Sequence, residues 1–290
     1  MGGVDDVDGA GDREDDARDA DDSARSPHRR TDEPGSTEEK DEALDRVILE
    51  GRPRLFRGTA DLLATGTVAG IEVGVGVLAL LVVVHETGST LLGALAFSVG
   101  FVALRLGHSE LFTEGFHVPV MVVVAGEARW TRLLRLWAGT LLGNLVGGWV
   151  FAWLVAVALP DLHGTAGVLS REFTGHPLGV QGFALAVLAG AAITLLTRMQ
   201  NGTDDDVAKL VAAVAIAFVI VGGGLLHSVL DTLVVFVAVH AGEPGASLAV
   251  WLPRFGWVVA GNLLGGLLLT TVLRVVRSRE RLGQWRRADT

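Results

Sequence analysis

A histidine and an aspartate lie four residues apart in a stretch of the chain that is otherwise apolar. His227 and Asp231 follow a glycine run, Gly222–Gly224, which separates the apolar segments 207–221 and about 230–239. An imidazole can gain or lose a proton under physiological conditions, so it can offer an anion a donor and a charge and then withdraw them. If the chain is helical after the glycines, the carboxylate lies on the same face and favours the charged imidazolium. A buried histidine that only bonds a freed backbone carbonyl is the alternative.

The sequence around this histidine has a second copy. Residues 227–232 read His-Ser-Val-Leu-Asp-Thr and residues 108–113 read His-Ser-Glu-Leu-Phe-Thr, so both fit H-S-x-L-x-T. A second string follows each copy at nearly equal spacing, Gly-Asn-Leu-Val-Gly-Gly at 143–148 and Gly-Asn-Leu-Leu-Gly-Gly at 261–266. Two motifs in the same order at the same spacing indicate an internal duplication.

The two H-S-x-L-x-T segments also carry hydroxyl and bulky apolar side chains. Ser109, Thr113 and Ser228 could contact an ion in a narrow pathway, or could serve only as local caps. Leu111 and Phe112 suit a hydrophobic constriction, with core packing as the alternative.

Lys209 is one of only two lysines in the chain and lies eighteen residues before His227. A cation at that point would raise the anion concentration at the mouth of a pathway. The alternative is an anchor at the membrane surface.

The glycine and asparagine strings have a simpler interpretation. Small residues let helices approach closely in lipid, and asparagine side chains can bond across the contact. We therefore predict a helix-packing role for Gly143, Asn144, Gly261 and Asn262.

The elements that position these residues are long apolar segments. A bilayer core of about 30 Å needs roughly 20 apolar residues per helix. Six segments qualify, and the second and fifth are interrupted at the two H-S-x-L-x-T motifs: 59–84, 89–126, 133–159, 180–198, 207–239 and 248–276. The sequence therefore predicts an all-α polytopic membrane protein of six transmembrane helices. Each half of the duplication holds three spans, an odd number, so the second half is predicted to insert in the opposite orientation. In folds with such inverted repeats, broken helices mark the transport pathway.

The loop charges predict the orientation. About fourteen basic residues flank the spans on one side, against Arg171 and Arg254 on the other. By the positive-inside rule both termini are cytoplasmic, and the protein is predicted to be multi-pass in the cytoplasmic (inner) membrane.

The N-terminal segment differs in composition from the remainder. Residues 1–50 hold eighteen acidic and seven basic side chains, with little to bury before Val47. We predict that 1–45 form a disordered acidic cytoplasmic tail, that 46–280 form the six-helix channel domain, and that 281–290 form a basic cytoplasmic end.

The sequence offers no support for an enzyme. The chain has no cysteine, no nucleotide-binding, H-E-x-x-H or G-x-S-x-G string, and no third group to orient a His–Ser pair. We predict no catalytic residue, no metal, no cofactor and no nucleic-acid partner, so that transport would be passive or gradient-driven.

Over about residues 50–280 the chain resembles the formate/nitrite transporter family. The resemblance rests on Glu-Leu-Phe-Thr at 110–113, His-Ser-Val at 227–229, Ala-Lys at 208–209 and the two Gly-Asn strings. It implies an aquaporin-like protomer in a homopentamer that conducts small monovalent anions, with protons as a further partner. It also implies that Thr113 and His227 contact the anion and that Leu111 and Phe112 belong to a constriction. Lys209 would be the positive charge in the inner, cytoplasmic vestibule.

The sequence departs from the family pattern beside the histidine. Leu226 stands where the family usually has Glu, and Leu-Asp-Thr at 230–232 stands where it usually has Ala-Asn-Met. A carboxylate that cancels the charge of the imidazolium would favour a second hypothesis, a neutral small-solute pore with the same fold.

The predicted topology can be tested by cysteine labelling. In the cysteine-free chain, single cysteines at Thr87 and Gly164 should react with an impermeant reagent from outside the cell. Cysteines at Gly126 and Thr203 should react only from inside, because the loops that carry them are rich in arginine or lie next to Arg198 and Lys209. Labelling of either pair from the opposite side would contradict six spans with both ends inside.

Overall fold

The computed structural model of the chain describes residues 37–277 and Gly283, and these residues form helices joined by short turns. In chain order the α-helices are α1 (Thr37–Phe56), α2 (Thr59–Thr87), α3 (Thr90–Gly107), α4 (Val118–Ala125), α5 (Trp130–Ala158), α6 (His163–Gly175), α7 (Val180–Gln200), α8 (Asp206–Gly222), α9 (Leu230–His240), α10 (Leu248–Gly266) and α11 (Leu273–Arg277). Short 3₁₀ turns occur at Phe112–Phe116 and Pro160–Leu162. A π-helical segment, Leu267–Val272, joins α10 to α11.

Five of the described helices, α2, α3, α5, α7 and α10, are long and apolar enough to cross a membrane. Large apolar side chains on these helices point outward, including Leu91, Val157 and Leu252, each more than half exposed. A surface of this kind is stable against lipid and unstable against water. The chain is therefore a membrane protein, all-helical in its described residues, while the six-span inverted repeat remains a prediction.

Two apolar helices, α3 and α8, end just before the two sequence motifs, so the chain leaves helical geometry there. Helix α3 ends at Gly107, and His108 adopts a left-handed conformation with φ 53° before the chain re-enters helix at α4. Helix α8 ends at Gly222, and Gly224 adopts φ 60° before α9 begins. We call the connecting segments 108–117 and 223–229 the first and second breaks.

Asn144 in α5 holds the first break in place. Its side chain is fully buried, its Oδ1 accepts the backbone N–H of Phe112 at 2.9 Å, and its Nδ2 donates to the carbonyl of Glu110 at 3.0 Å. The same Nδ2 also donates to the carbonyl of Gly66 in α2 at 2.9 Å. One amide therefore ties the break to two helices and satisfies backbone groups that the missing helix turn leaves free.

Asn262 in α10 does the same for the second break. Its Oδ1 accepts the backbone N–H of Ser228 at 2.9 Å. Its Nδ2 donates to the carbonyls of Leu226 at 2.9 Å and of Ala186 in α7 at 2.8 Å. The two asparagines thus make matching sets of three hydrogen bonds.

Glycines let the helices come close enough for these bonds. A Cβ on Gly70 of α2 would overlap the backbone carbonyl of Asn144, and a Cβ on Gly190 of α7 would overlap that of Asn262. Gly143 and Gly261 also lie at these contacts, where an added Cβ would fall within 2.9 Å of Gly66 and 2.5 Å of Ala186. The α2–α5 and α7–α10 pairs therefore share one packing geometry.

The predicted end of the tail at residue 45 falls inside a helix, because α1 begins at Thr37. Leu44, Val47 and Ile48 are almost fully buried against Val118 and Met121 of α4. Residues 37–45 therefore belong to a helix whose apolar stripe is diluted by charged neighbours, which is why composition concealed it. Residues 1–36, and all of 281–290 except Gly283, lie outside the described residues.

Replacing either asparagine with leucine should strongly destabilise the protein. Asn144→Leu leaves the Phe112 N–H and the Glu110 carbonyl of the first break without their partner, and each buried unpaired group costs about 1–3 kcal/mol. Asn262→Leu should behave in the same way. The measurement is the unfolding temperature in detergent, with Gln181→Leu on the exposed face of α7 as the matched control. An equal unfolding temperature in all three variants would contradict the role assigned to the asparagines.

Candidate functional site

The two breaks meet at a buried hydrogen bond between Thr113 and His227. Thr113 Oγ1 lies 3.0 Å from His227 Nε2, and both residues are fully buried. The other ring nitrogen, Nδ1, accepts the backbone N–H of Leu230 at 3.1 Å. Because Nδ1 is an acceptor, the proton of a neutral ring is on Nε2, which donates to the threonine hydroxyl. We call Thr113 and His227 the central pair.

Asp231 contacts the backbone of His227. Its Oδ2 accepts the His227 N–H at 2.8 Å, whereas the two ring nitrogens bond Thr113 and Leu230. The expected pairing between carboxylate and imidazole is therefore replaced by a capping contact. An acidic side chain in the first turn of α9 can reach back to a free N–H and is favoured there by the helix dipole.

The remaining predicted pathway hydroxyls occupy different environments. Ser228 is fully buried, and its Oγ has no hydrogen-bond partner among the described residues. Ser109 is half-buried at the end of α3 and bonds Glu72 of α2. Ser228 is thus beside the central pair in the chain, and Ser109 is at the edge of the first break.

The two predicted constriction residues belong to the apolar core around the central pair. Leu111 and Phe112 are 1% and 3% exposed, and the Phe112 ring packs edge-on against Phe116 at 5.0 Å. The Phe101 ring of α3 lies edge-on to the His227 imidazole with 6.4 Å between centroids. Bulky apolar side chains therefore border the central pair, and the part played by Phe101 was not evident from sequence.

Two cavities lie on opposite sides of the central pair. The α1-side cavity, of about 250 Å³, is lined by Arg54, Leu104, Arg105, Glu110, Glu114, Gln200 and neighbouring residues. The α6-side cavity, of about 110 Å³, is lined by Thr90, Glu172, Phe173, His176, Leu226, Asp231 and neighbouring residues. Helix α3 starts at the second and ends at the first, and its 18 residues span about 27 Å at 1.5 Å each. Neither Thr113 nor His227 lines either cavity, but Glu110 and Glu114 near Thr113 line the first, and Leu226 and Asp231 near His227 line the second.

Glu110 forms a buried ion-pair network that the sequence analysis missed. It is 4% exposed, accepts Arg54 Nε at 2.6 Å on one oxygen, and accepts Arg57 Nη1 at 3.0 Å on the other. Burial alone would lower the pKa of the Arg54 guanidinium, but the attraction to Glu110 and their hydrogen bond hold it above its ordinary value. These bonds join the first break to Arg54 at the end of α1 and to Arg57 just after that helix. A glutamate inside an apolar span was the available signal.

Lys209 is not among the residues that line the α1-side cavity. Its Nζ lies 3.0 Å from Asp206 Oδ1 and 3.3 Å from the carbonyl of Asp204. The hydrogen bond and the charge of Lys209 lower the pKa of the exposed Asp206 carboxyl. Arg105, by contrast, does line the cavity. Within residues 37–277, no group of three or more His, Cys, Asp and Glu side chains could hold a metal ion.

Comparisons with known proteins agree with one another. The family model described as "Formate/nitrite transporter" matches residues 41–276. The "Inner membrane protein YfdC" of Escherichia coli (strain K12) is 25% identical over 257 residues, which cover 84% of this chain and 81% of that protein.

Two solved structures share the fold. An "FNT family ion channel" superimposes with a TM-score of 0.75 at 20% identity, covering 81% of this chain and 98% of that one. A "Pentameric formate channel with formate bound" superimposes with a TM-score of 0.64 at 21% identity, covering 76% and 97%.

Asp231→Ala should destabilise the protein, whereas Asp231→Asn should not. Alanine leaves the His227 N–H without an acceptor, a loss of about 1–3 kcal/mol for a buried group. Asparagine keeps an oxygen at the same place. The unfolding temperatures of both variants would be compared with that of Asp161→Ala, an exposed aspartate outside the site. If Asp231→Ala has the same unfolding temperature as the Asp161→Ala control, the capping contact does not stabilise the second break.

Proposed function

Because this chain belongs to the formate/nitrite transporter family, we propose that it carries small monovalent anions of the formate or nitrite type across the cytoplasmic membrane. The path runs from the α1-side cavity past the central pair to the α6-side cavity. Transport is passive or coupled to a proton. The observation that carries the proposal is the buried Thr113–His227 hydrogen bond. The chain next to Thr113 lines the charged α1-side cavity, and the chain next to His227 lines the mainly apolar α6-side cavity.

The central pair offers a passing anion two hydrogen-bond donors. With Nδ1 engaged by Leu230, His227 Nε2–H points at Thr113, and the threonine hydroxyl keeps its own proton. An anion that enters between them takes both donors, since a charged acceptor forms the stronger hydrogen bond. The buried Ser228 hydroxyl, which has no partner in residues 37–277, is a third donor in this segment. Leu111 and Phe112 keep the section narrow and dry.

His227 is the gating residue in this mechanism. A second proton can be added only at Nδ1, and it would break the hydrogen bond from Leu230 N–H at the start of α9. Protonation of the ring is therefore linked to a change at the second break. Asp231 restrains that change, because it holds the backbone N–H of His227.

The protomer is proposed to have six spans arranged as two inverted three-helix repeats, with α3–α4 and α8–α9 as the interrupted spans. The matching Asn144 and Asn262 bonds support this arrangement. The positive-inside distribution supports cytoplasmic termini, which would make the α1-side cavity the inner one. Lys209 and Ser109 lie at that inner end. A homopentamer is proposed because one of the structures that share the fold is a pentameric formate channel.

A neutral small-solute pore is the second candidate, and it has one observation in its favour. Glu110 engages both Arg54 and Arg57, and Glu114 lines the same cavity. Most of the positive charge in the α1-side cavity is thus balanced, and a balanced cavity does not concentrate anions.

Flux in proteoliposomes distinguishes the two candidates. The full chain should pass formate, nitrite or hydrosulfide faster than formamide, a neutral solute of the same size as formate. Thr113→Val, which removes one donor without changing the shape, should lower anion flux by about 10- to 100-fold, since a hydrogen bond to a charged group is worth about 1.5–3 kcal/mol. His227→Ala should abolish the preference for anions.

Each variant is normalised to correctly assembled protein, and His85→Ala, an exposed histidine remote from the breaks, is the control. Formamide flux that exceeds formate flux would replace the anion proposal with the neutral pore. Equal anion flux in wild type, Thr113→Val and His227→Ala would move the pathway away from the central pair.

A further inference from the structure

Arg254 is an arginine set inside the sixth apolar segment on the α6 side of the molecule. It is the seventh residue of α10 and lines a small pocket with Leu226, His176, Pro177 and Trp257. This pocket, which we call the Arg254 pocket, has a volume of about 10 Å³, enough for one water molecule. Arg254 lies near the end of this span, where a charged side chain costs less than at the bilayer centre but still requires polar partners.

The guanidinium of Arg254 is only partly used by the protein. Its Nη1 donates to the carbonyl of Val250 at 3.1 Å. Its Nε is buried and has no hydrogen-bond partner, and no carboxylate among the described residues lies within ion-pair distance. A half-buried cation with an unpaired donor is unstable in this setting unless a ligand completes it.

The unused edge of the guanidinium has a defined shape. The N–H bonds of Nε and the neighbouring Nη2 are parallel and match two oxygens held in one plane. A carboxylate or nitrite presents two such oxygens, whereas a halide presents a single sphere. The free edge therefore selects for planar anions with two oxygens.

The Arg254 pocket opens beside the proposed pathway. It shares Phe173, His176 and Leu226 with the α6-side cavity, and Leu226 directly precedes the central histidine. Glu172 and Asp231 line the larger cavity, so this end of the pathway would repel anions without Arg254. Arg254 itself does not line the larger cavity, so an anion would be held where the two cavities adjoin, with the guanidinium turned toward the larger one.

We propose that Arg254 forms a capture site for a planar two-oxygen anion at the α6-side end of the pathway, one step before the central pair. The proposal rests on the anion-transport function above, but the site is a separate binding unit. It gives the chain a selectivity element that neither break contains. Leu226, which precedes His227 in the chain, lines both the Arg254 pocket and the α6-side cavity.

Binding to the purified full chain tests the site without any flux. The unfolding temperature is measured against increasing formate and, separately, chloride. Wild type should be stabilised by formate at lower concentrations than by chloride. Arg254→Gln should raise the formate concentration needed by about tenfold or more, the loss expected for a hydrogen-bonded charge pair. Arg254→Lys keeps the charge but not the fork, so it should respond to formate and chloride alike.

Arg171→Gln is the matched control, because Arg171 lies on the same side, is exposed, and faces Glu243 at 3.9 Å. It should bind formate as wild type does. The proposal is wrong if Arg254→Lys still needs less formate than chloride for the same stabilisation, in the same ratio as wild type. It is also wrong if formate does not stabilise wild type. If Arg254→Gln does not assemble, Arg254→Lys decides alone.

Flux measured in parallel separates this proposal from the transport function. If formate binding depends on Arg254 but the protein shows no anion flux, the Arg254 site is supported and the proposed transport function is wrong. If formate flux is normal and formate binding is unchanged in both Arg254 variants, the transport function is supported and the Arg254 site is wrong.

Discussion

The arrangement of the described residues depends on satisfying backbone groups where α3 and α8 end beside the two buried breaks. A helix end that is buried in protein exposes N–H and C=O groups that no water can reach, and each is costly if left unpaired. Asn144 and Asn262 meet that requirement with three bonds apiece, two to a break and one to a neighbouring helix. The close glycine contacts at Gly70 and Gly190 exist because an amide side chain can span only a short gap.

Once the breaks are fixed, their side chains can differ. The first break has Glu110, which two arginines join to the α1 side of the molecule. The second has Leu226 in the corresponding place, since the carbonyls of both residues accept from an asparagine Nδ2. The same backbone arrangement therefore supports a polar, ion-paired side and an apolar side, and the Thr113–His227 bond joins them. The two breaks therefore share their asparagine contacts and differ in charge.

The asparagine bonds also correct the register of the duplication. The H-S-x-L-x-T motifs align His108 with His227, but the bonds place Phe112 opposite Ser228 and Glu110 opposite Leu226, three residues away from the motif alignment. Leu111 is then the counterpart of His227. His108 is exposed at the end of α3, and its ring contacts only the nearby carbonyl of Leu106 among the bonds described. The short motif was a misleading guide to equivalence.

The sequence by itself determined the apolar helices, the two interruptions and the family, because hydropathy and glycine runs are local properties that the membrane enforces directly. The sequence also identified Thr113, His227 and the two asparagines as candidate functional or packing residues. Only the tertiary structure decided what these side chains bond. Asp231 caps a backbone N–H, Lys209 pairs with Asp206 and does not line the cavity, and Arg54 and Arg57 reach Glu110 from more than fifty residues away. A hydrogen bond depends on distance and direction between atoms, and residue spacing along the chain does not contain either quantity across helices.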